Sequence, residues 1–96
     1  MDRSKIKEIL IEKLVELFAD KNIDKDVLEY VDLIDDVGMD SILFISFVIE
    51  IEALFEISIP DDVLLMENFR NVKKIIDLVL IEYEIKFGKE KRHDKA

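Results

Sequence analysis

Of the fourteen residues from Ile42 to Phe55, only Ser46, Glu50 and Glu52 are polar. A run this apolar, ahead of a break at Pro60, reads as a helix over residues 41 to 55, with Asp40 or Ser41 as its N-cap. It is too apolar to bury only one stripe. Phe44, Phe47, Val48, Ile51, Leu54 and Phe55 form the longer stripe and hold all three of its aromatics, so they are the expected core face. Ile42, Ile45 and Ile49, with Ser46 beside them, form a second stripe that must cover something else or stay partly exposed. The run is too short to span a bilayer, and Glu50, Glu52 and Glu56 follow its greasiest part.

The rest of the chain fits around that helix. With 96 residues there is room for one domain and one modest core. Ile6, Ile9, Leu10, Leu14, Leu17 and Phe18 recur at three- and four-residue steps, predicting a helix over residues 4 to 19. Residues 21 to 40 form a long connection. Its Val27, Leu28, Tyr30, Val31, Leu33 and Ile34 are too apolar for a free loop and are expected to fold back over the core. Gly38 is the natural place for a positive φ in the turn that follows. Pro60 disfavours helix at Ile59 and marks an extended link, after which Asp61 to Met66 can form one or two helical turns. Asn71 caps a last helix with Val72, Ile75, Ile76, Val79, Leu80 and Tyr83 on its apolar stripe, fraying near Phe87-Gly88. The expected architecture is all-α: a small bundle of three main helices plus one short helix, with a long first loop. The domain spans residues 1–87, and residues 88–96 form a charged tail expected to be disordered.

Charge narrows the function. The chain has 14 Lys and Arg against 23 Asp and Glu, for a formal net charge of −9. Between Lys25 and Arg70 there is no basic residue at all, while twelve acids fall in that stretch. Residues 1 to 85 carry 9 basic and 21 acidic side chains, a net of −12. Phosphate binding needs clustered Lys and Arg, so nucleic acid is excluded as the main partner and basic protein surfaces are favoured. With no Cys there is no disulfide framework and no thiolate of the chain's own. The N-terminus enters an amphipathic pattern without an apolar signal core, so a cytoplasmic protein is expected.

Asp36-Val37-Gly38-Met39-Asp40-Ser41-Ile42 resembles the modification motif of acyl carrier proteins, usually D-x-G-x-D-S-L. The similarity continues in order and at near-family spacing. Ile51, Glu52 and Phe55 stand at the L-E-x-x-F segment, Ile57-Ser58-Ile59-Pro60-Asp61 is similar to I-x-I-P-D, and Glu67-Asn68-Phe69-Arg70-Asn71-Val72 is similar to E-N-F-x-T-V. The resemblance spans about residues 4 to 85. It implies that Ser41 is the attachment site of 4′-phosphopantetheine, moved from coenzyme A by a phosphopantetheinyl transferase. Asp40, Gly38 and Asp36 frame that serine. The arm's thiol would carry acyl thioesters to partner enzymes, an acyl ligase or synthase with a basic docking surface. Pathways open to it include fatty acid, polyketide, nonribosomal peptide or unusual lipid synthesis. Met39, Ile42, Ile45, Ile49, Glu50 and Glu52 are the expected partner-facing residues. Many fatty-acid carriers have several acids just after the serine, whereas Leu43 and Ser46 stand here. The segment from Pro60 to Val72 is also about two residues longer than in compact family members.

Other chemistries fit poorly. A serine hydrolase needs a preorganised base, and the single His is His93 in the charged tail. Asp32, Asp35, Asp36, Gly38 and Asp40 invite a calcium-loop reading, but setting Gly38 at the sixth loop position puts Leu33, Val37 and Phe44 where oxygen ligands belong. The chain therefore reads as a free-standing, monomeric carrier rather than an enzyme. The alternative is an unmodified helical interaction module that binds through Ile42, Ile45 and Ile49.

Overall fold

The computed structural model describes residues 2–88. Three long helices dominate: α1 (Arg3–Leu17), α3 (Ser41–Phe55) and α4 (Val72–Tyr83); a single helical turn, α2 (Lys25–Leu28), lies in the first connection. No strand occurs among the described residues. Each long helix starts at a side-chain cap. Asp2, Asp40 and Asn71 accept the backbone N–H of Lys5, Leu43 and Lys74, each at 2.9 Å.

α1 contributes Ile6, Leu10 and Leu14 to the core, and Phe18 follows at its C-cap. The expected helix to residue 19 stops at Leu17 and tightens into a 3₁₀ turn, Ala19–Lys21, which Asn22 closes in the left-handed conformation. Asn tolerates that conformation through its short polar side chain. Lys13 ties α1 to α3 through Glu50 at 3.5 Å. Lys7 ties α1 to the end of α2 through Glu29 at 2.9 Å.

The first connection folds back as expected at Leu28, Leu33 and Val37, which are buried, while Val31 and Ile34 pack against the core. Two of its residues do not: Tyr30 is 80% exposed and Val27 is also exposed. They fall on the outer side of the α2 turn, whose one inward position is taken by Leu28. The short helix of the fold is thus α2, not the segment after Pro60. That segment forms two 3₁₀ turns, Asp61–Val63 and Met66–Phe69.

α3 buries Phe47, Val48, Ile51 and Phe55. Phe44 is half-buried because it sits in the first turn, and Leu54 is exposed at the edge of the stripe. Glu56 ends the helix with a φ of 54°. The extended link then alternates, with Ile57 and Ile59 inward and Ser58 outward. α4 buries Val72, Ile75, Ile76 and Val79. Where fraying was expected, the chain continues as a π-helical turn over Glu84–Gly88. The Lys86 ammonium in that turn donates to the Glu56 carbonyl at the C-terminal end of α3, the end a helix dipole makes attractive to cations. The expected disordered tail from Lys89 onward, His93 included, lies outside the described residues.

Candidate functional site

The site is a corner of the chain. Residues 32 to 39 close on themselves before α3 begins. The Asp32 carbonyl accepts the N–H of Asp36 at 2.8 Å and of Val37 at 3.3 Å, and the Met39 N–H donates to the Leu33 carbonyl at 2.9 Å. Asp32 Oδ1 accepts the N–H groups of Ile34 and Asp35. Gly38 has a φ of 91°, which only glycine adopts without strain, so the sequence expectation at this position holds. A Cβ there would stand 3.4 Å from Lys21 Nζ, so one cation from the 3₁₀ turn after α1 lies over the loop.

Asp40 follows in an extended conformation and caps α3 with its carboxylate. Ser41 is the first residue of the helix and is exposed. The first N–H groups of a helix have no acceptor inside it, and the dipole there favours negative charge. A phosphodiester on the Ser41 oxygen therefore suits this position. Its surroundings agree: the side chain opens to solvent, and Lys21 supplies a positive charge beside the loop.

The residues expected around the serine fall into three groups. Ile42, Ile45 and Ile49 are 77%, 57% and 60% exposed and make a bare apolar strip running down α3 from Ser41, with exposed Ser46 beside it. Met39, expected to face a partner, is only 3% exposed and packs in the core, because the turn at Gly38 directs it inward. Three acids are engaged within the fold. Asp36 Oδ2 accepts the Asp32 N–H at 2.8 Å, Glu52 Oε2 accepts the Ile59 N–H at 2.8 Å, and Glu50 pairs with Lys13. Glu52 is thereby a clamp on the Ile57–Pro60 link as well as a candidate contact, while Glu50 keeps half its side chain in solvent.

Two residues of the E-N-F-x-T-V-like segment, to which the sequence assigned no role of their own, hold the corner. Phe69 is fully buried, and its ring meets that of Phe44 edge-on, centroids 5.0 Å apart. Arg70 places Nη1 2.6 Å from Asp32 Oδ2 and 2.9 Å from Asp35 Oδ2, and grips Glu67 with Nε and Nη2. Its carbonyl accepts the Leu33 N–H at 2.7 Å. Hydrogen bonding from Arg70 is the main reason that Asp32 and Glu67 titrate below their ordinary range. The carboxylates of the cluster that resembled a calcium loop are thus engaged from within: Asp32 and Asp35 by Arg70, and Asp32, Asp36 and Asp40 by backbone N–H groups. No metal-holding group of side chains is found among the described residues. The signal in the sequence was Arg70 itself, the basic residue that ends the acidic stretch.

Residues 12–79 match the family model described as the phosphopantetheine attachment site. An acyl carrier protein of Phytoplasma mali (strain AT) is 33% identical over 73 residues, covering 74% of this chain and 84% of that protein. No solved structure matches the chain significantly.

Proposed function

The chain belongs to the acyl carrier protein family, and from that premise we propose that Ser41 bears its phosphopantetheine arm and that the exposed strip of α3 meets its partners. As a family member it is a carrier and not an enzyme, and its cofactor is covalently attached 4′-phosphopantetheine. When bound, that arm supplies a terminal thiol that holds acyl groups as thioesters. The observation that carries the assignment is the exposed hydroxyl of Ser41 at the first position of a fifteen-residue helix, with the preceding carboxylate occupied in capping Leu43. Ser41 Oγ forms the new ester bond to phosphorus and gives up its proton. The pyrophosphate bond of coenzyme A breaks, and adenosine 3′,5′-bisphosphate leaves.

Asp40 keeps the helix start fixed, and Gly38 makes the turn that brings the serine outward. Partners include the transferase and biosynthetic enzymes that accept the arm. Their docking surface pairs an apolar centre, to cover Ile42, Ile45 and Ile49, with basic groups for the surrounding carboxylates. Polyketide, nonribosomal peptide or specialised lipid synthesis fits this face at least as well as general fatty-acid synthesis, because α3 offers few free acids after Ser41. Among the described residues no helix is long and apolar enough to cross a membrane, and we place the protein in the cytoplasm as a monomer.

Intact mass after incubation with coenzyme A, magnesium and a broad-specificity phosphopantetheinyl transferase tests the assignment. The expected result is a gain of one phosphopantetheine that Ser41→Ala abolishes while staying folded, since a cap-region change costs only about 1 kcal/mol. A gain that persists in Ser41→Ala would move the attachment elsewhere. No gain in either protein would favour an unmodified interaction module.

A further inference from the structure

Ser41 sits between two stretches of chain that are held by two adjacent residues from farther along the chain, Phe69 and Arg70. Downstream, Phe44 in the first turn of α3 rests on Phe69. Upstream, Asp32 and Asp35 in the loop are held by Arg70, whose backbone carbonyl also takes the Leu33 N–H. The Phe contact is apolar, with Phe69 fully buried and Phe44 half-buried. The Arg70 contact is different in kind, because it joins one cation to three carboxylates. Remove the cation and Asp32, Asp35 and Glu67 repel one another across the same space. The loop then loses its side-chain ties to the segment before α4 and keeps the backbone bond from the Leu33 N–H to the Arg70 carbonyl, while Leu33, Val37 and Met39 still anchor it to the core.

We infer that Arg70 is a positioning residue for Ser41: its guanidinium holds the 32–39 loop so that the serine hydroxyl is presented in one arrangement to the enzyme that modifies it. The inference rests on Ser41 being the attachment site. Arg70 does not touch the serine and acts only through the loop. Of its three carboxylate partners, Asp32 and Asp35 belong to the loop, while Glu67 lies in Arg70's own segment. The contacts that matter for presentation are therefore those to Asp32 and Asp35, and the one to Asp32 is the shorter and the better shielded from solvent. Lysine is a partial substitute, since it keeps the charge but cannot fork between partners.

The experiment measures steady-state phosphopantetheine transfer from coenzyme A by the broad-specificity transferase, with the unmodified protein as varied substrate. If the loop presents the serine for only a tenth of the time in Arg70→Ala, KM rises about tenfold and kcat is unchanged, because only the competent fraction binds. Asp32→Asn is expected to raise KM in the same direction, Glu67→Gln to leave it near the starting value, and Arg70→Lys to recover part of the loss. Val79→Ala, a core deletion in α4, is the control for stability alone and is expected to lower Tm without raising KM. An unchanged KM in Arg70→Ala would overturn the inference. So would a rise that Val79→Ala reproduces at an equal loss of Tm, or one that follows Glu67 instead of Asp32. Ser41→Ala, run alongside, separates the two levels: if it is still modified, the site assignment fails, whatever Arg70 does.

Discussion

Gly38 shows how a single position can be read from sequence and then weighed. Its φ of 91° requires glycine, and any Cβ would approach Lys21 Nζ. Gly38→Ala is expected to cost about 1–2 kcal/mol, measured by chemical denaturation, and to slow modification of Ser41. Asp40 and Asn71 were legible in the same way, as capping residue types placed just before apolar periodicity. Glu52 was not. Its type and position suggested a charge offered to partners, but its carboxylate accepts the N–H of Ile59 seven residues on. That role depends on the path of the Ile57–Pro60 link, which no local pattern encodes. Glu52→Ala leaves the Ile59 N–H without this acceptor and is expected to destabilise the fold by about 1–3 kcal/mol. Denaturant melts of the mutant beside Glu50→Ala, a half-exposed side chain whose ion pair with Lys13 is 3.5 Å long, would show the difference.

At the scale of one element, α3 divides its apolar residues between two faces, and the two faces answer differently to substitution. Ile51 is fully buried, so Ile51→Ala is expected to cost about 2–5 kcal/mol. Ile45 is more than half exposed, so Ile45→Glu is expected to change stability by no more than about 0.5 kcal/mol. The same change puts a charge in the middle of the strip and should reduce acyl transfer to a partner enzyme, read by a loading assay on the modified protein. Loss of the fold in Ile45→Glu would mean that the strip is core. The helix ends at Ser41 and Phe55 were legible because the run is long and apolar and lies between a capping residue and the break at Pro60. The 3₁₀ turns after Pro60 were less so, because a short turn has too few residues for periodicity to separate it from loop.

Across the whole molecule, the uneven charge is met at one point by Arg70, which pairs with three carboxylates. Asp32 and Glu67 titrate below their ordinary values of 3.8 and 4.5, first because each accepts a hydrogen bond from Arg70. The folded chain therefore holds their protons less tightly than the unfolded chain does. Their contribution to stability is complete above those ordinary values and is lost as pH falls through the lower, folded ones. Tm is expected to stay level down to about pH 5 and to drop below it, and Arg70→Ala to flatten the drop. A Tm profile from pH 7 to pH 3 on both proteins checks this. Composition and spacing revealed the acidic stretch, yet gave no sign that Arg70 would reach back 38 residues to Asp32. Pairings at that separation are decided by how the elements pack, and only the three-dimensional fold supplies them. The all-α class was legible because it rests on patterns repeated in every long helix.

The hold on Ser41 from both sides also bears on modular engineering. A designer who wished to transplant the modifiable corner into another scaffold would be tempted to cut out residues 32 to 55 as one cassette. Phe69 and Arg70 lie outside that cassette, and both its loop and the first turn of its helix lean on them. The transferable unit is two separate pieces of chain, and a graft carrying only the first would keep the recognition sequence while leaving its scaffolding behind.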